Sequence, residues 1–135
     1  CGDGWGICKQ PEHKCIIDDD FEKLRLIASE AGSIVLVTPV YWGEASDIMK
    51  RFLDRFRRCE GTRGDKRCFL GTKFLLVASA GGSGGGILTC LELLQRSVMH
   101  MGGSVYDYIG VNRWNAEYKR NAIAPAVHAM INSDF

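Results

Sequence analysis

The sequence predicts an α/β protein built on a parallel sheet, and three observations carry that prediction. Two runs, residues 33–38 (SIVLVT) and 73–79 (KFLLVAS), are almost continuously apolar and partly β-branched. Strands apolar on both faces belong to parallel sheets covered by helices on both sides. A third candidate strand follows at 104–109, and every strand-to-strand connection carries a stretch of helical periodicity. The order is therefore helix, strand, helix, strand, helix, strand, helix, which right-handed crossovers wind into a single open sheet. The 135 residues suffice for one domain with a real core.

Taken in order, residues 1–17 (CGDGWGICKQPEHKCII) form a Cys- and Gly-rich loop without periodicity. Asp18, Asp19 and Asp20 supply an N-cap and an acidic first turn. Phe21, Leu24, Ile27, Ala28 and Ala31 then mark one face of an amphipathic helix, with Gly32 as its C-terminal glycine. The 33–38 strand is expected to stop at Pro39. A helix over about 46–58 shows Ile48 or Met49, Phe52, Leu53 and Phe56 on its apolar face, with Lys50, Arg51, Asp54, Arg55 and Arg57 mostly opposite. Residues 59–72 are a polar connector. After the 73–79 strand, a glycine run leads to a helix over about 87–101 with Leu91, Leu94, Val98 and Met101 on one side. Gly102 and Gly103 stop that helix. Residues 112–115 turn the chain into a last helix over about 116–130, in which Pro125 predicts a kink or break.

Ligands of open parallel sheets bind beyond the carboxyl ends of the strands. Two loops meet there, 38–46 and 80–86. The second holds five glycines in six positions, 81–86, which costs conformational entropy. It is either a flexible connection or a place where backbone closely approaches a flat or anionic ligand. It fits neither a G-x-G-x-x-G register nor a P-loop, which needs a following Gly-Lys-Ser/Thr. Tyr41 and Trp42 are either rim packing or a stacking wall for a planar ring. No Ser-His-Asp order, H-E-x-x-H or paired-carboxylate motif is legible, and His100 and His128 read as packed or solvated side chains.

Composition narrows the partners. Seventeen Lys and Arg against sixteen Asp and Glu leave a net charge of +1, so no nucleic-acid partner is expected. No apolar stretch reaches 18 residues, so no membrane partner is expected, and the opening does not resemble a signal peptide. A cytoplasmic protein is the expectation.

The segment TPVYWGEASDIMKRFLDR (38–55) resembles the central signature of the NADPH-dependent FMN reductase and iron–sulfur flavoprotein group. Cys15 followed by Ile16, Ile17 and Asp18–Asp20 resembles the Cys-x-x-x-Asp-Asp stretch upstream of it in that group. SAGGSGGG (79–86) and Asn112-Arg113-Trp114-Asn115 are compatible with it. The resemblance covers essentially the whole chain. It implies a flavodoxin-like doubly wound parallel sheet with three parallel strands. It also implies an oxidoreductase that passes electrons from NAD(P)H to FMN and on to a small-molecule acceptor or redox partner, working as a homodimer or homotetramer. Thr38, Pro39, Val40, Tyr41, Trp42 and Gly43 would form one wall of the FMN site and Ala80, Gly81, Gly82 and Ser83 the other. Lys50, Asp54 and Arg55 would serve structure, and the cofactor would do the chemistry without an acid or base residue. The first strand and phosphate loop of that fold do not precede Cys1. The chain therefore reads as N-terminally incomplete, with an open edge on the 33–38 strand and weak FMN binding or none.

Six cysteines are many for this length. Cys1, Cys8 and Cys15, spaced C-x6-C-x6-C, are ordinary thiols, ligands of an iron–sulfur cluster or zinc with a fourth ligand elsewhere, or redox partners. His13 is a local alternative ligand. Cys59 and Cys68 read as exposed or half-buried thiols and Cys90 as core. Two other functions stay open: an iron–sulfur flavoprotein-type electron-transfer module, and a non-enzymatic metal- or partner-binding domain on the same fold.

Overall fold

A computed structural model describes residues 6–61, 63 and 68–134. After a single 3-10 turn at Ile7–Lys9, the elements are α1 (Phe21–Glu30), β1 (Ser33–Tyr41), β2 (Glu44–Ala45), α2 (Asp47–Glu60), β3 (Lys73–Ser79), α3 (Ile87–His100), β4 (Ser104–Val111) and α4 (Ala116–Asn132). The sheet order is β2-β1-β3-β4. β1, β3 and β4 are parallel, with Ser33 opposite Lys73, Pro39 opposite Ser79, and Ser79 opposite Val111. The three parallel strands and four helices are those the sequence predicts.

Alternation along β3 divides the core in two. Phe74, Leu76 and Ala78 face α1, α2 and α3, where they pack with Phe21, Leu53, Phe56, Leu91 and Leu94. Leu75 and Val77 face the other way, toward Ile109, Val111 and Met130 of α4. Helices on both faces are why β3 has no polar side. The larger core holds a run of phenylalanine rings. Phe52 meets Phe56 at 5.3 Å, Phe56 stacks on Phe69 at 4.7 Å, and Phe69 meets Phe74 at 4.9 Å. Phe69 thereby ties the polar connector to the core.

Three local expectations are corrected, and the Asp18–Asp20 cap is borne out through Asp19. β1 does not stop at Pro39 but runs to Tyr41: among the described residues β1 pairs over 33–39 with β3 alone, and a strand with one unpaired side is where a proline is tolerated. Among the described residues no strand pairs with the outer side of β1 over 33–39. The face of α1 is only partly covered. Phe21 is buried, but Leu24 and Ile27 are about half exposed and line a groove of about 1460 Å³ between α1, the edge of β1 and α2. The side chain of Asp20 caps nothing. Asp19 does that work, its Oδ1 accepting from the Phe21 N–H at 3.1 Å. Finally, α4 continues unbroken through Pro125, whose exposed position leaves the freed Asn121 carbonyl open to water. No helix among the described residues is long and apolar enough to cross a membrane.

Candidate functional site

Parallel strands put the loops after β1, β3 and β4 on one edge of the sheet. The first is a tight hairpin. Tyr41 pairs with Glu44, leaving Trp42 and Gly43 as a two-residue turn. Both turn residues have positive φ, 52° and 83°, the geometry that matches the twist of a two-residue hairpin. Glycine takes that conformation freely, but for tryptophan it costs about 1–2 kcal/mol. The strained residue is also the most exposed apolar side chain described: Trp42 is 104% accessible and Tyr41 63%. Among the described residues nothing covers the indole held this way, so the arrangement points to an external partner.

The hairpin is held from below. Thr38 is buried, its hydroxyl donating to the Pro39 carbonyl at 3.0 Å and accepting from the Ser46 N–H at 3.0 Å. It anchors the loop from within rather than facing the edge. Ser46 in turn caps α2, its hydroxyl accepting from the Met49 N–H at 3.3 Å. Val40 is half-buried beneath the turn, while Pro39 is exposed.

The glycine loop is pressed against this hairpin. At Gly86 (φ 83°), the residue that opens α3, a Cβ would stand 2.6 Å from the Gly43 Cα, so backbone meets backbone without side chains between. Ala80 is buried and its N–H donates to the Val111 carbonyl at 2.9 Å, fixing the start of the loop. Gly81, Gly82 and Ser83 are exposed, and a Cβ at either glycine would meet nothing within 4 Å. This open backbone beside a raised aromatic pair fits the flat ring system of a flavin: faces for Tyr41 and Trp42, and an edge within reach of peptide N–H groups.

A third loop completes the edge. Asn112 and Asn115 lock it reciprocally. Asn115 Oδ1 accepts from the Asn112 N–H at 2.7 Å, and Asn112 Oδ1 accepts from the N–H groups of Trp114 and Asn115, both at 3.0 Å. Asn112 Nδ2 also donates to the Ser83 carbonyl at 3.5 Å, joining this loop to the glycine loop. Sequence reasoning read these residues as the turn into the last helix and as compatible with a family, but not as a lock; their Asn-x-x-Asn spacing before a helix was the available signal.

The cysteines lie elsewhere. Cys1 falls outside the described residues. Cys8 is buried and Cys15 half-buried, with Cys15 Sγ accepting from Arg55 Nη2 at 3.3 Å. Among the described residues no three His, Cys, Asp or Glu side chains are grouped as metal ligands. Cys59 is fully buried rather than exposed or half-exposed, and burial pushes its thiol up to about 12. Burial likewise raises Cys68 to about 12, and raises core Cys90. These three stay protonated and are poor nucleophiles at neutral pH.

Arg55 matches its structural reading. It forms two bonds to Asp19, at 2.7 and 2.8 Å, lies 4.2 Å over the Phe21 ring, and so joins α2 to the start of α1. Lys50 pairs with Asp54 one turn along α2. A junction the sequence did not show is Glu60, wholly buried at the end of α2. Its carboxylate accepts from Arg25 of α1, from Arg63 Nη1 at 3.2 Å, and from the Cys68 N–H at 3.2 Å.

Comparison with known proteins then decides the family. The family model described as NADPH-dependent FMN reductase matches residues 3–115. The chain belongs to the NADPH-dependent FMN reductase family. An iron–sulfur flavoprotein of Methanocaldococcus jannaschii is 41% identical over 54 residues, 40% of this chain but only 28% of that protein's length. The Trp repressor binding protein of Bacillus subtilis superposes with a TM-score of 0.65 at 18% identity, covering 87% of this chain and 73% of that one. An NADPH-quinone reductase from P. pentosaceus superposes with a TM-score of 0.63 at 15% identity, covering 93% and 85%. The general stress protein 14 of Treponema denticola, solved with FMN, gives 0.62 at 13% identity, covering 94% and 77%. At such identities the structures establish a shared flavodoxin-like fold.

Proposed function

We propose that this FMN reductase family member holds FMN across the carboxyl edge of its sheet and uses NAD(P)H as electron donor for a small-molecule acceptor. The observation that supports this reading most is Trp42: strained at φ 52°, fully exposed, and raised beside an open glycine backbone. FMN, when bound, supplies the hydride and electron chemistry. The chain's part is to place it. Tyr41 and Trp42 stack on the ring and exclude water from one face. Gly81, Gly82 and Ser83 let backbone N–H groups reach the ring edge, where fixed dipoles favour the electron-rich reduced form. The contact of Gly43 with Gly86 keeps the two walls at a constant separation.

The test is an anaerobic FMN titration, carried to concentrations that would fill a weak site, followed by NADPH. The expected result is a perturbed flavin absorption band that bleaches on adding NADPH. A protein that leaves the FMN spectrum unchanged overturns the proposal. A broad brown absorption accompanied by bound iron and sulfide would instead make Cys8 and Cys15 ligands and favour an electron-transfer module.

A further inference from the structure

The loop after β4 carries an aromatic and cationic surface that the flavin site does not use. Trp114 is 69% exposed on a loop locked by Asn112 and Asn115, with the Arg113 guanidinium 5.0 Å from its ring centroid. One helical turn on, Tyr118 is also exposed, with Lys119 Nζ 5.8 Å from its ring. Trp114 lies in the turn just before α4 and Tyr118 in the first turn of that helix, so the two rings are four residues apart at one end of α4. Residues 112–120 hold Arg113, Lys119 and Arg120 against the single carboxylate of Glu117. Rings that offer a face, each with a cation beside it, recognise a flat base bearing phosphate.

Position supplies the second half of the argument. Asn112 contacts Ser83, so this surface adjoins the middle of the glycine loop. β4 lies two strand spacings from β1, roughly 10 Å. A dinucleotide whose reactive ring lies near Trp42 can reach Trp114 with its other end. We infer that Arg113 and Trp114, extended by Tyr118 and Lys119, bind the adenosine-phosphate half of NADPH. Trp114 stacks on the adenine and Arg113 pairs with phosphate. This assignment rests on the proposed reductase reading and adds the docking place of its donor.

The test uses adenosine 2′,5′-bisphosphate, a fragment of NADPH without the nicotinamide, titrated calorimetrically into the chain with and without FMN. The parent chain should bind it. Trp114→Ala should weaken it at least about tenfold, as loss of a stacked base does. Trp114→Phe should restore part of the affinity, and Arg113→Gln should weaken binding and flatten its salt dependence. FMN affinity and thermal stability should stay unchanged in all three variants. The inference is overturned if the parent chain does not bind the fragment, if Trp114→Ala binds it equally well, or if FMN affinity falls instead, which would place Trp114 in the flavin site. Tighter binding of a single-stranded oligonucleotide than of the fragment would also overturn it. Failure of the flavin reading looks different: FMN does not bind, whatever the fragment does.

Discussion

The Trp42 hairpin and the Glu60 junction are built on opposite principles. At the hairpin a large apolar ring is fully exposed on a backbone conformation that tryptophan disfavours. At the junction a carboxylate is fully buried, yet it is met by two guanidinium groups and a backbone N–H. The first arrangement lowers stability and keeps a surface available. The second satisfies every charge it buries and knits α1, α2 and the connector together. Strain left unrelieved at a sheet edge marks where the molecule meets something else; charge neutralised in the core marks where it holds itself.

Three substitutions sharpen that contrast. The largest effect belongs to Glu60→Gln. It keeps the volume but removes the buried charge that Arg25 and Arg63 share. Arg25 keeps Glu22 and Arg63 is partly exposed, so the loss should fall below that of a fully broken buried pair, about 3–5 kcal/mol. Urea unfolding should show this loss; a change below about 1 kcal/mol would mean the junction is not stabilising.

The next effect runs in opposite directions for stability and binding. Trp42→Gly should raise stability by about 1 kcal/mol, because glycine accepts the positive φ. It should also weaken FMN about tenfold, in the range of a lost aromatic stack. A variant that loses both stability and affinity would show Trp42 to be a packing residue.

The smallest effect is Asp19→Asn. The Arg55 guanidinium holds the Asp19 carboxyl down at about 2, below its ordinary 3.8. A group whose native value is lowered stabilises the fold above its ordinary value, and the contribution disappears as pH falls toward the native one. The parent chain should therefore be slightly more stable than Asp19→Asn at neutral pH. The gap should close between about pH 4 and pH 2, read from acid unfolding. Asp19 is solvent-exposed, so the gap should also shrink with salt.

The strands, the helices and the two principal loops were legible because their signals are local. A continuous apolar run implies two covered faces, and a glycine run before a helix marks a strand end wherever the chain goes afterwards. The Thr38–Ser83 candidates were legible as segments, but not as roles. Thr38 proved to be an internal anchor because its partner, the Ser46 N–H, lies eight residues on across the hairpin. The passage of β1 through Pro39 was hidden because a proline is judged by what lies beside it in the sheet. The face of α1 misled for a similar reason: its periodicity was right, but Leu24 and Ile27 face a groove at the edge of the described sheet.

From its sequence alone this protein is a parallel α/β fold of the flavodoxin-like kind, with an aromatic loop and a glycine loop on the same edge. The parallel sheet and the shared edge follow from hydrophobic period and chain order, which neighbouring residues settle among themselves; the flavodoxin-like kind is what the resemblance of residues 38–55 implies. Only the tertiary structure decided that Gly43 and Gly86 touch, that Trp42 is strained and bare, that Glu60 is buried among cations, and that Asn112 joins a third loop to the site. The Gly43, Glu60 and Asn112 contacts depend on segments about 30 or more residues apart being brought within a few ångströms, and packing alone sets such distances; the strain at Trp42 is set by the pairing of Tyr41 with Glu44.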